Sequence, residues 1–348
     1  MPLTDRLPLS RIPDPVEAPP LRWGVIGAGW IAERFVDALR SKTRQQVVAV
    51  GSRSSTGATT FAARFGIPRP HGSYEELVSD PEVDVVYVAT PHPSHLPHGL
   101  LALNAGKHVL IEKPVALNAR EARELQVRAA DLDLYCAEAM WTLFTPKFDV
   151  IRQVLDAGML GEIRTVIVDF GEWFADDHRI MQPELAGGPL LDLGTYPLSL
   201  AHWVLGMPVE VIARGIPAPS GVNGQASVLM VHDGDAHSVI TTSIFSNTPT
   251  GATIAGTEGT ITIPGIYYRP GGFTVISGDL ETTLTYEEPA AMYTYLGYEA
   301  AETARRIIAG ETSTPYRPMA DTVSTMEIID EVRRQIGIVF PGEQSASA

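Results

Sequence analysis

The segment RWGVIGAGWIAERFVDAL, residues 22–39, says most about the architecture of this chain. A short apolar run is followed by Gly27 and Gly29, and an amphipathic pattern begins at Trp30. This spacing is typical of a turn that binds the pyrophosphate of a dinucleotide, because glycine lets the backbone approach closely and a helix N-terminus attracts phosphate. We therefore expect Gly27 and Gly29, with Trp30 and Ile31 of the first helical turn, to contact a dinucleotide cofactor.

The same alternation of apolar strand and helix continues to about residue 142. The predicted strands cover 22–26, 46–52, 83–90, 108–113 and 132–139, and the predicted helices cover 30–39, 56–66, 94–106 and 118–130. Short apolar strands that alternate with helices are typical of a parallel sheet covered on both faces. The sequence therefore predicts a doubly wound α/β domain over residues 22–142, preceded by a flexible, proline-rich extension over residues 1–21.

After residue 142 the pattern changes. A helix at 146–158 and an apolar helix within 187–206 come first. Predicted strands then follow at 209–216, 226–233, 237–246, 252–256, 259–265, 272–278 and 280–286. Consecutive strands without helices between them form an antiparallel sheet. Two helices, around 294–309 and 318–335, complete a second domain over residues 143–340, and we expect a flexible tail over 341–348.

Composition narrows the class of protein. The 348 residues include 26 Lys and Arg against 41 Asp and Glu, a net charge of −15, which argues against a nucleic-acid partner. No apolar run is long enough to span a membrane, and the N-terminus lacks the apolar core of a secretory signal. The single cysteine, Cys136, excludes an internal disulfide. We expect a cytoplasmic protein.

The end of the second predicted strand bears on the choice of cofactor. An NAD site usually has an acidic residue there, which holds the ribose 2′-hydroxyl. This chain instead has Ser52, Arg53 and Ser54. A guanidinium group can hold a 2′-phosphate through two hydrogen bonds. The sequence therefore predicts NADP rather than NAD.

The segment ATPHPSH, residues 89–95, follows the third strand of the predicted sheet. Ligands of such sheets bind at the carboxyl ends of the strands, so we expect Thr90, Pro91, His92 and His95 to contact the cofactor, with His95 at the start of the next helix. Histidines recur at three-residue spacing here, but prolines interrupt the run and no nearby carboxylate completes a ligand set. We expect no metal site.

Two further segments carry residues suited to acid–base chemistry. A buried strand ends at Glu112 and Lys113, and the following proline favours an extended backbone that directs the lysine toward the same crevice. The apolar helix within 187–206 carries Asp192 and, one turn later, Tyr196. A buried carboxylate must be paired, so a cation or a ligand is expected beside Asp192.

Four motifs together resemble one known family. They are VIGAGWIA (25–32), ATPHPSH (89–95), AGKHVLIEKP (105–114) and GGPLLDLGTYPLSLAHW (187–203), which occur in the order and approximate spacing of the Gfo/Idh/MocA oxidoreductase family. The resemblance covers about residues 22–340 and is greatest to the branch of dihydrodiol and NADP-dependent xylose dehydrogenases. It implies a Rossmann domain, then an α/β domain with a large, open, mainly antiparallel sheet through which a homodimer or higher homo-oligomer forms.

The resemblance also implies roles for single residues. Lys113 and Tyr196 are expected to carry proton transfer, with Asp192 assisting, and the roles of Lys113 and Tyr196 could be exchanged. The lysine should compensate the aspartate and favour the ionised form of the tyrosine. Trp141 and Phe170 match aromatic positions that line the substrate pocket of this branch, and Glu112 and Lys113 are also expected at the cofactor.

The expected function is transfer of a hydride between NADP and a secondary or anomeric hydroxyl of a sugar or sugar derivative. Aromatic rings at 141, 144, 170, 173 and 174 suit the apolar face of such a ring, and the polar side chains at 176–179 suit its hydroxyls. The alternatives are a trans-dihydrodiol dehydrogenase and a keto-sugar reductase of the anhydrofructose type. A non-catalytic NADP-binding sensor is the alternative from another class.

Overall fold

The computed structural model describes residues 6–289 and 293–343 and contains two sheets. The first has six strands: β1 (Arg22–Ile26), β2 (Gln46–Gly51), β3 (Arg69–His71), β4 (Val85–Val88), β5 (His108–Glu112) and β6 (Cys136–Ala139). They are all parallel, in the order β3-β2-β1-β4-β5-β6. The helices of this half are α1 (Trp30–Lys42), α2 (Ser55–Phe65), α3 (Tyr74–Val78), α4 (His95–Asn104) and α5 (Ala119–Asp131).

This arrangement confirms the predicted doubly wound parallel sheet. The strand order reverses between β1 and β4, and a crevice for ligands opens at the carboxyl ends of the strands on either side of such a reversal. Polar side chains begin several of the helices: Ser54 accepts a hydrogen bond from Gly57 N (3.1 Å), and Asn118 accepts one from Glu121 N (3.0 Å). Strand β3 and helix α3 are short and were not predicted.

The second sheet has eight strands. They are β7 (Ile163–Gly171), β8 (Glu210–Pro217), β9 (Asn223–Val231), β10 (His237–Ser243), β11 (Ala252–Gly256), β12 (Gly259–Ile263), β13 (Phe273–Ser277) and β14 (Thr283–Tyr286). Their order is β14-β13-β12-β11-β7-β10-β9-β8, and only the β7–β10 pair is parallel. The mainly antiparallel sheet is confirmed. The sequence analysis missed β7, which precedes the apolar segment around Asp192 and stands apart in sequence from the other strands.

The described part of the second half of the chain contains five α-helices: α6 (Pro146–Asp156), α7 (Pro189–Asp192), α8 (Thr195–Leu205), α9 (Leu296–Ile308) and α10 (Met319–Ile336). The prediction of one apolar helix with Asp192 and Tyr196 on the same face was wrong. Asp192 is the last residue of α7, and Tyr196 lies in the first turn of α8. Pro197 explains the break, because a proline inside one continuous helix would clash with the carbonyl of Leu193 and would offer no N–H.

A buried ion pair joins the two halves of the chain. Glu138 on β6 accepts hydrogen bonds from Arg317 Nη2 (2.8 Å) and from Val115 N (3.1 Å), and both side chains of the ion pair are almost completely buried. Arg317 also donates to Ser199 Oγ on α8 (3.3 Å). The pair therefore links the end of the parallel sheet to the helix that carries Tyr196.

The expected flexible extension over residues 1–21 is not what the structure shows for residues 6–21. The backbone N–H of Arg11 donates to Asp149 on α6 (2.6 Å), and the Arg11 guanidinium pairs with the same carboxylate (2.7 Å). Leu21 N donates to Gln45 Oε1 (3.0 Å). The partners of residues 6–21 could not be predicted from the sequence, because they lie far away along the chain. Residues 1–5 and 344–348 lie outside the described residues.

No helix within the described ranges is long and apolar enough to cross a membrane. The predicted domain limits, 22–142 and 143–340, and the cytoplasmic location stay predictions.

Candidate active site

Lys113 lies directly after β5, at the carboxyl edge of the parallel sheet. Its Nζ donates to Asp192 twice, to the backbone oxygen at 2.8 Å and to Oδ1 at 3.2 Å. On its other side Asp192 pairs with Arg179, whose Nη2 lies 2.8 Å from Oδ2. Burial opposes ionisation of this carboxyl, but the charges of Lys113 and Arg179 prevail and hold the pKa of Asp192 well below its usual range. The expected cation beside Asp192 is present, together with a second one.

Tyr196 lies beside this ion pair and is almost fully buried. Its hydroxyl oxygen accepts a hydrogen bond from Trp141 Nε1 (3.0 Å), and Lys113 Nζ lies 5.1 Å from the centre of its ring. Burial and the neighbouring Tyr268 hydroxyl raise the pKa of Tyr196 well above 10, although the hydrogen bond from Trp141 opposes the shift. The expectation that Lys113 would favour an ionised Tyr196 was therefore wrong: the ammonium is neutralised by Asp192, and apolar rings surround the phenol.

Three aromatic rings surround Tyr196. Phe170, at the end of β7, lies 6.1 Å from it, and Trp141 binds its hydroxyl. Tyr268, from the loop between β12 and β13, stacks on Tyr196 at 4.4 Å and 21° and on Phe170 at 5.0 Å and 28°. The sequence analysis singled out Trp141 and Phe170 but missed Tyr268, whose only signal was a pair of tyrosines in a glycine-rich loop.

Among the described residues, no hydrogen bond, ion pair or ring contact joins the other aromatic and polar residues suggested for the substrate to Lys113, Asp192 or Tyr196, with one exception. Trp173 is 60% exposed, Phe174 stacks on His178 at 4.6 Å, and Phe144 packs on Tyr316. Asp176 and Asp177 are exposed. Among the polar side chains at 176–179, Arg179 reaches the site through its ion pair with Asp192.

Glu112 is the last residue of β5 and is buried beneath Lys113. Its carboxylate accepts hydrogen bonds from the Tyr87 hydroxyl and from Lys113 N (3.1 Å). Burial raises the pKa of Glu112 to about 7, while Tyr87 and Lys113 oppose the shift. Its carboxyl therefore supports the backbone of Lys113 from inside the sheet edge.

The turn at Gly27, predicted to bind the cofactor, has a backbone that excludes a side chain. Gly27 has φ of 101° and donates to Gly51 O (3.0 Å), and a Cβ at this position would lie 2.6 Å from Ala89 O. Only glycine fits such a turn. Gly29 precedes α1, whose first N–H groups, including those of Trp30 and Ile31, have no partner within the helix.

Trp30 continues the same edge with an exposed ring. It is 54% exposed, packs edge-on against Tyr293 at 5.1 Å, and has the Arg34 guanidinium 5.6 Å from its centre. This edge of the crevice is thus both aromatic and cationic.

The residues at the end of β2 remain open to solvent. Arg53 is exposed and lies near Tyr74. Burial raises the pKa of Tyr74, and the charge of Arg53 partly opposes this shift. Ser54 caps α2, and Ser52 lies between this cap and the strand, with its N–H donating to His71 O (3.3 Å). An exposed guanidinium beside two hydroxyl side chains is a suitable receptor for a phosphate group.

The histidine segment has mixed roles. Both ring nitrogens of His95 lie 2.7 Å from backbone oxygens, those of Pro114 and Thr90, so this side chain ties the Thr90 turn to the segment after Lys113 and offers no free nitrogen to a cofactor. His92 is buried next to the site, and its Nδ1 has no hydrogen-bond partner among the described residues. Pro91, which precedes His92, is exposed.

The Thr90 hydroxyl pairs with His98 Nδ1 (3.0 Å). Residues 6–289 and 293–343 contain no group of three or more His, Cys, Asp or Glu side chains that could hold a metal ion.

Comparison with known proteins agrees with this geometry. Residues 21–139 match the oxidoreductase family with an NAD-binding Rossmann fold, Gfo/Idh/MocA, and residues 148–262 match the C-terminal domain of the same family. A trans-1,2-dihydrobenzene-1,2-diol dehydrogenase from Danio rerio is 37% identical over 329 residues, covering 92% of this chain and 98% of that protein. The chain belongs to the Gfo/Idh/MocA family. A relative of the same name from Mus musculus is 36% identical over 335 residues, covering 93% and 99%.

Solved structures of the family agree in fold. A 3-ketoreductase from Actinomadura kijaniata, in complex with NADP and TDP-benzene, superposes with a TM-score of 0.81 at 27% identity and covers 91% of this chain and 98% of its own. A levoglucosan dehydrogenase, at 20% identity, shares the fold with a TM-score of 0.82 and covers 92% and 97%. Membership of the Gfo/Idh/MocA family makes this chain an oxidoreductase that acts on CH–OH groups with a nicotinamide cofactor, and the sensor alternative is set aside.

Proposed function

We propose that the enzyme uses NADP and acts on a ring hydroxyl of a sugar or sugar derivative. The observation that carries this proposal is the convergence of Lys113, Asp192 and Tyr196 at the carboxyl edge of the parallel sheet. Stacked aromatic side chains complete the site, and they suit the apolar face of a six-membered ring. The 3-ketoreductase that binds NADP and TDP-benzene supports this substrate class.

A trans-dihydrodiol is the second candidate substrate. Relatives of 37% and 36% identity are named for oxidation of a trans-1,2-dihydrobenzene-1,2-diol. Such a diol also presents neighbouring hydroxyls on a six-membered ring with a flat apolar face, so the same aromatic residues would hold it.

The proposed cofactor site consists of the Gly27 turn, the first turn of α1 and the side chains at the end of β2. The residues fit a dinucleotide, because Ala89 O leaves no room for a side chain at Gly27 and Arg53 is free to take a 2′-phosphate. When bound, the cofactor supplies or accepts the hydride at the substrate carbon. We place Thr90, Pro91 and His92 beside it, with Glu112 supporting the edge of the site.

Tyr196 is the proposed proton-transfer group. Because Trp141 donates to the phenol oxygen, the phenolic hydrogen is left for a substrate oxygen. At neutral pH the Tyr196 phenol is protonated and can give a proton to a carbonyl oxygen during reduction, although burial, which raises its pKa, makes it a weaker acid than a free phenol. In the oxidative direction it must accept a proton, and the hydrogen bond from Trp141 then stabilises the phenolate. Asp192 orients the lysine.

The test is turnover of Tyr196→Phe and Lys113→Met on a panel of sugars and trans-dihydrodiols with NADP⁺, and of keto-sugars with NADPH. We expect kcat to fall by about 10²-fold or more in each variant, while cofactor binding by Tyr196→Phe, measured by fluorescence titration, stays within about twofold. Tyr135→Phe, a buried tyrosine outside the site, is the matched control and should keep its kcat. Wild-type kcat in both site variants would overturn the assignment.

We also propose that the enzyme forms a homodimer through the open face of the second sheet. Apolar side chains form one row across four neighbouring strands: Ile167 on β7 lies opposite Val239, Val239 opposite the half-buried Leu229, and Leu229 opposite Ile212. Ile167 is 50% exposed, and Val239 and Ile212 are each 42% exposed. An exposed apolar patch of this kind marks a protein interface.

A further inference from the structure

The stacking of Tyr268 on Tyr196 requires a fixed loop. Tyr268 belongs to the segment between β12 and β13, where no strand partner binds the backbone. Its ring nevertheless lies 4.4 Å from that of Tyr196 and 6.3 Å from that of Trp141. The Tyr267 N–H donates to Thr250 O (2.9 Å), and the carbonyl groups of this part of the main chain need partners of their own.

Three consecutive carbonyl groups of this loop are bound by one short segment of the chain. Lys147 Nζ, on α6, donates to Tyr267 O (2.7 Å) and to Arg269 O. Thr142 Oγ1 donates to Tyr268 O, which lies between them, at 3.0 Å. Lys147 is 1% exposed and Thr142 is 3% exposed, so these contacts are shielded from water.

The electrostatics of Lys147 are unusual for a purely structural residue. Burial lowers the pKa of Lys147 to about 8, and the charge of Glu288 only partly opposes the shift. Lys147 forms no ion pair within 4.0 Å among the described residues. The Glu288 carboxylate accepts a hydrogen bond from the Tyr286 hydroxyl (2.9 Å). An apolar side chain would avoid the desolvation of an ammonium. A lysine is useful here because it offers several N–H donors to carbonyls that have no strand partner.

We propose that Lys147, with Thr142, is a positioning residue for catalysis, which holds the main chain of residues 267–269 so that the Tyr268 ring keeps Tyr196 in its reactive orientation. The inference rests on the proposed role of Tyr196. A misplacement of about 1 Å at a reacting group can cost about 10²-fold in rate, so a loop displaced by loss of its donors should be visible in kcat.

The test is a set of kinetic measurements on Lys147→Met, Thr142→Val and Tyr268→Ala, alone and combined. We expect Lys147→Met to lower kcat about tenfold or more, with KM for NADP changed less than twofold. In the Tyr268→Ala background the same substitution should have little further effect on kcat, because the ring that it positions is absent. Thr142→Ser, which retains the hydroxyl donor, should recover most of the activity lost in Thr142→Val.

Lys107 supplies a matched control. Its Nζ also donates to two backbone oxygens, Asp80 O at 2.9 Å and Val83 O at 2.7 Å, but Lys107 precedes β5 and lies at the opposite end of that strand from Lys113. Lys107→Met should lower thermal stability and leave kcat unchanged. If Lys147→Met does not fold, the Thr142 variants decide the question.

Two results would overturn the inference. One is a normal kcat in folded Lys147→Met or in Thr142→Val, and the other is a loss that multiplies fully with that of Tyr268→Ala. If Tyr196→Phe is inactive while these variants are normal, only the positioning role fails. If Tyr196→Phe itself retains full activity, the proposed function fails first.

Discussion

At the carboxylate of Asp192, two cations from different parts of the chain meet. Lys113 comes from the end of β5 and Arg179 from the segment before α7. The partnership with Lys113 could be anticipated, because a buried carboxylate needs a cation and both residues belong to recognisable motifs. Arg179 could not be assigned to it, since it lies in an irregular, polar segment where several charged side chains are equally plausible partners.

The residue that should set cofactor choice is Arg53. Replacing it with alanine removes the guanidinium available to a 2′-phosphate, so Arg53→Ala should lower kcat/KM for NADP⁺ by about tenfold or more, equivalent to about 1.4 kcal/mol. The value for NAD⁺ should change less than about twofold. The measurement is steady-state kinetics with both cofactors on one substrate.

Arg64→Ala is the matched control for this prediction. Arg64 lies near the end of α2, the helix that follows Arg53, and it pairs with Glu33. An equal loss with both cofactors in Arg53→Ala, or an equal change of preference in Arg64→Ala, would contradict the assignment of Arg53.

At the level of helices and strands, regular periodicity was predictive and local interruptions were not. The strands of the parallel sheet other than β3, and most of the antiparallel strands, follow directly from apolar runs and two-residue alternation. The break between α7 and α8 depends on Pro197, whose effect the surrounding leucines obscured. The position of Tyr268 depends on Lys147, more than a hundred residues away in sequence, so no local pattern could place it at the site.

The ion pair between β6 and Arg317 should contribute strongly to stability. Glu138→Gln would leave the Arg317 guanidinium buried without its counter-ion, and breaking a buried pair in this way costs about 3–5 kcal/mol. Because Glu138 also accepts from Val115 N, close to Lys113, we expect kcat to fall in the same variant. The measurement is urea-induced unfolding followed by circular dichroism.

Glu82→Gln is the control for the Glu138→Gln prediction. Glu82 pairs with Arg22 at 3.0 Å on the surface, where 53% of its side chain is exposed. An exposed pair of this kind contributes about 1 kcal/mol or less. If Glu138→Gln and Glu82→Gln destabilise the protein equally, breaking the buried pair costs no more stability than breaking the exposed one.

For the whole molecule, besides Glu112, whose pKa burial raises to about 7, one buried acid should contribute to the dependence of stability on pH: Glu299 of α9. It is fully buried, and neither carboxyl oxygen has a hydrogen-bond partner among the described residues. Burial, with the charges of Glu112 and Glu138, raises the pKa of Glu299 well above 4.5. The folded protein therefore binds this proton more tightly than the unfolded chain, and the stabilisation is lost as pH rises from about 4.5 through the folded-state pKa.

Glu299→Gln should remove this contribution. We expect the free energy of unfolding of the wild type to fall relative to that of the variant by up to about 1.4 kcal/mol per pH unit above pH 5. Urea unfolding between pH 5 and 8 measures the difference. Glu302→Gln, on the same helix, removes a carboxylate paired with Arg306 and serves as the control. If the free energy of unfolding changes with pH in the same way for the wild type and Glu299→Gln, Glu299 does not cause the pH dependence.

The assembly of the molecule should depend on the apolar row across the second sheet. A lysine at Val239, in the middle of that row, would place a charge against the same position of a second copy or close to it, because a two-fold interface brings identical surfaces together. We expect Val239→Lys to shift the protein from dimer to monomer at micromolar concentration in sedimentation-velocity experiments, with its circular dichroism spectrum unchanged. Val127→Lys is the matched control, since Val127 is 53% exposed on α5 of the other domain. A dimer that persists in Val239→Lys and in Ile167→Lys would place the interface on another face.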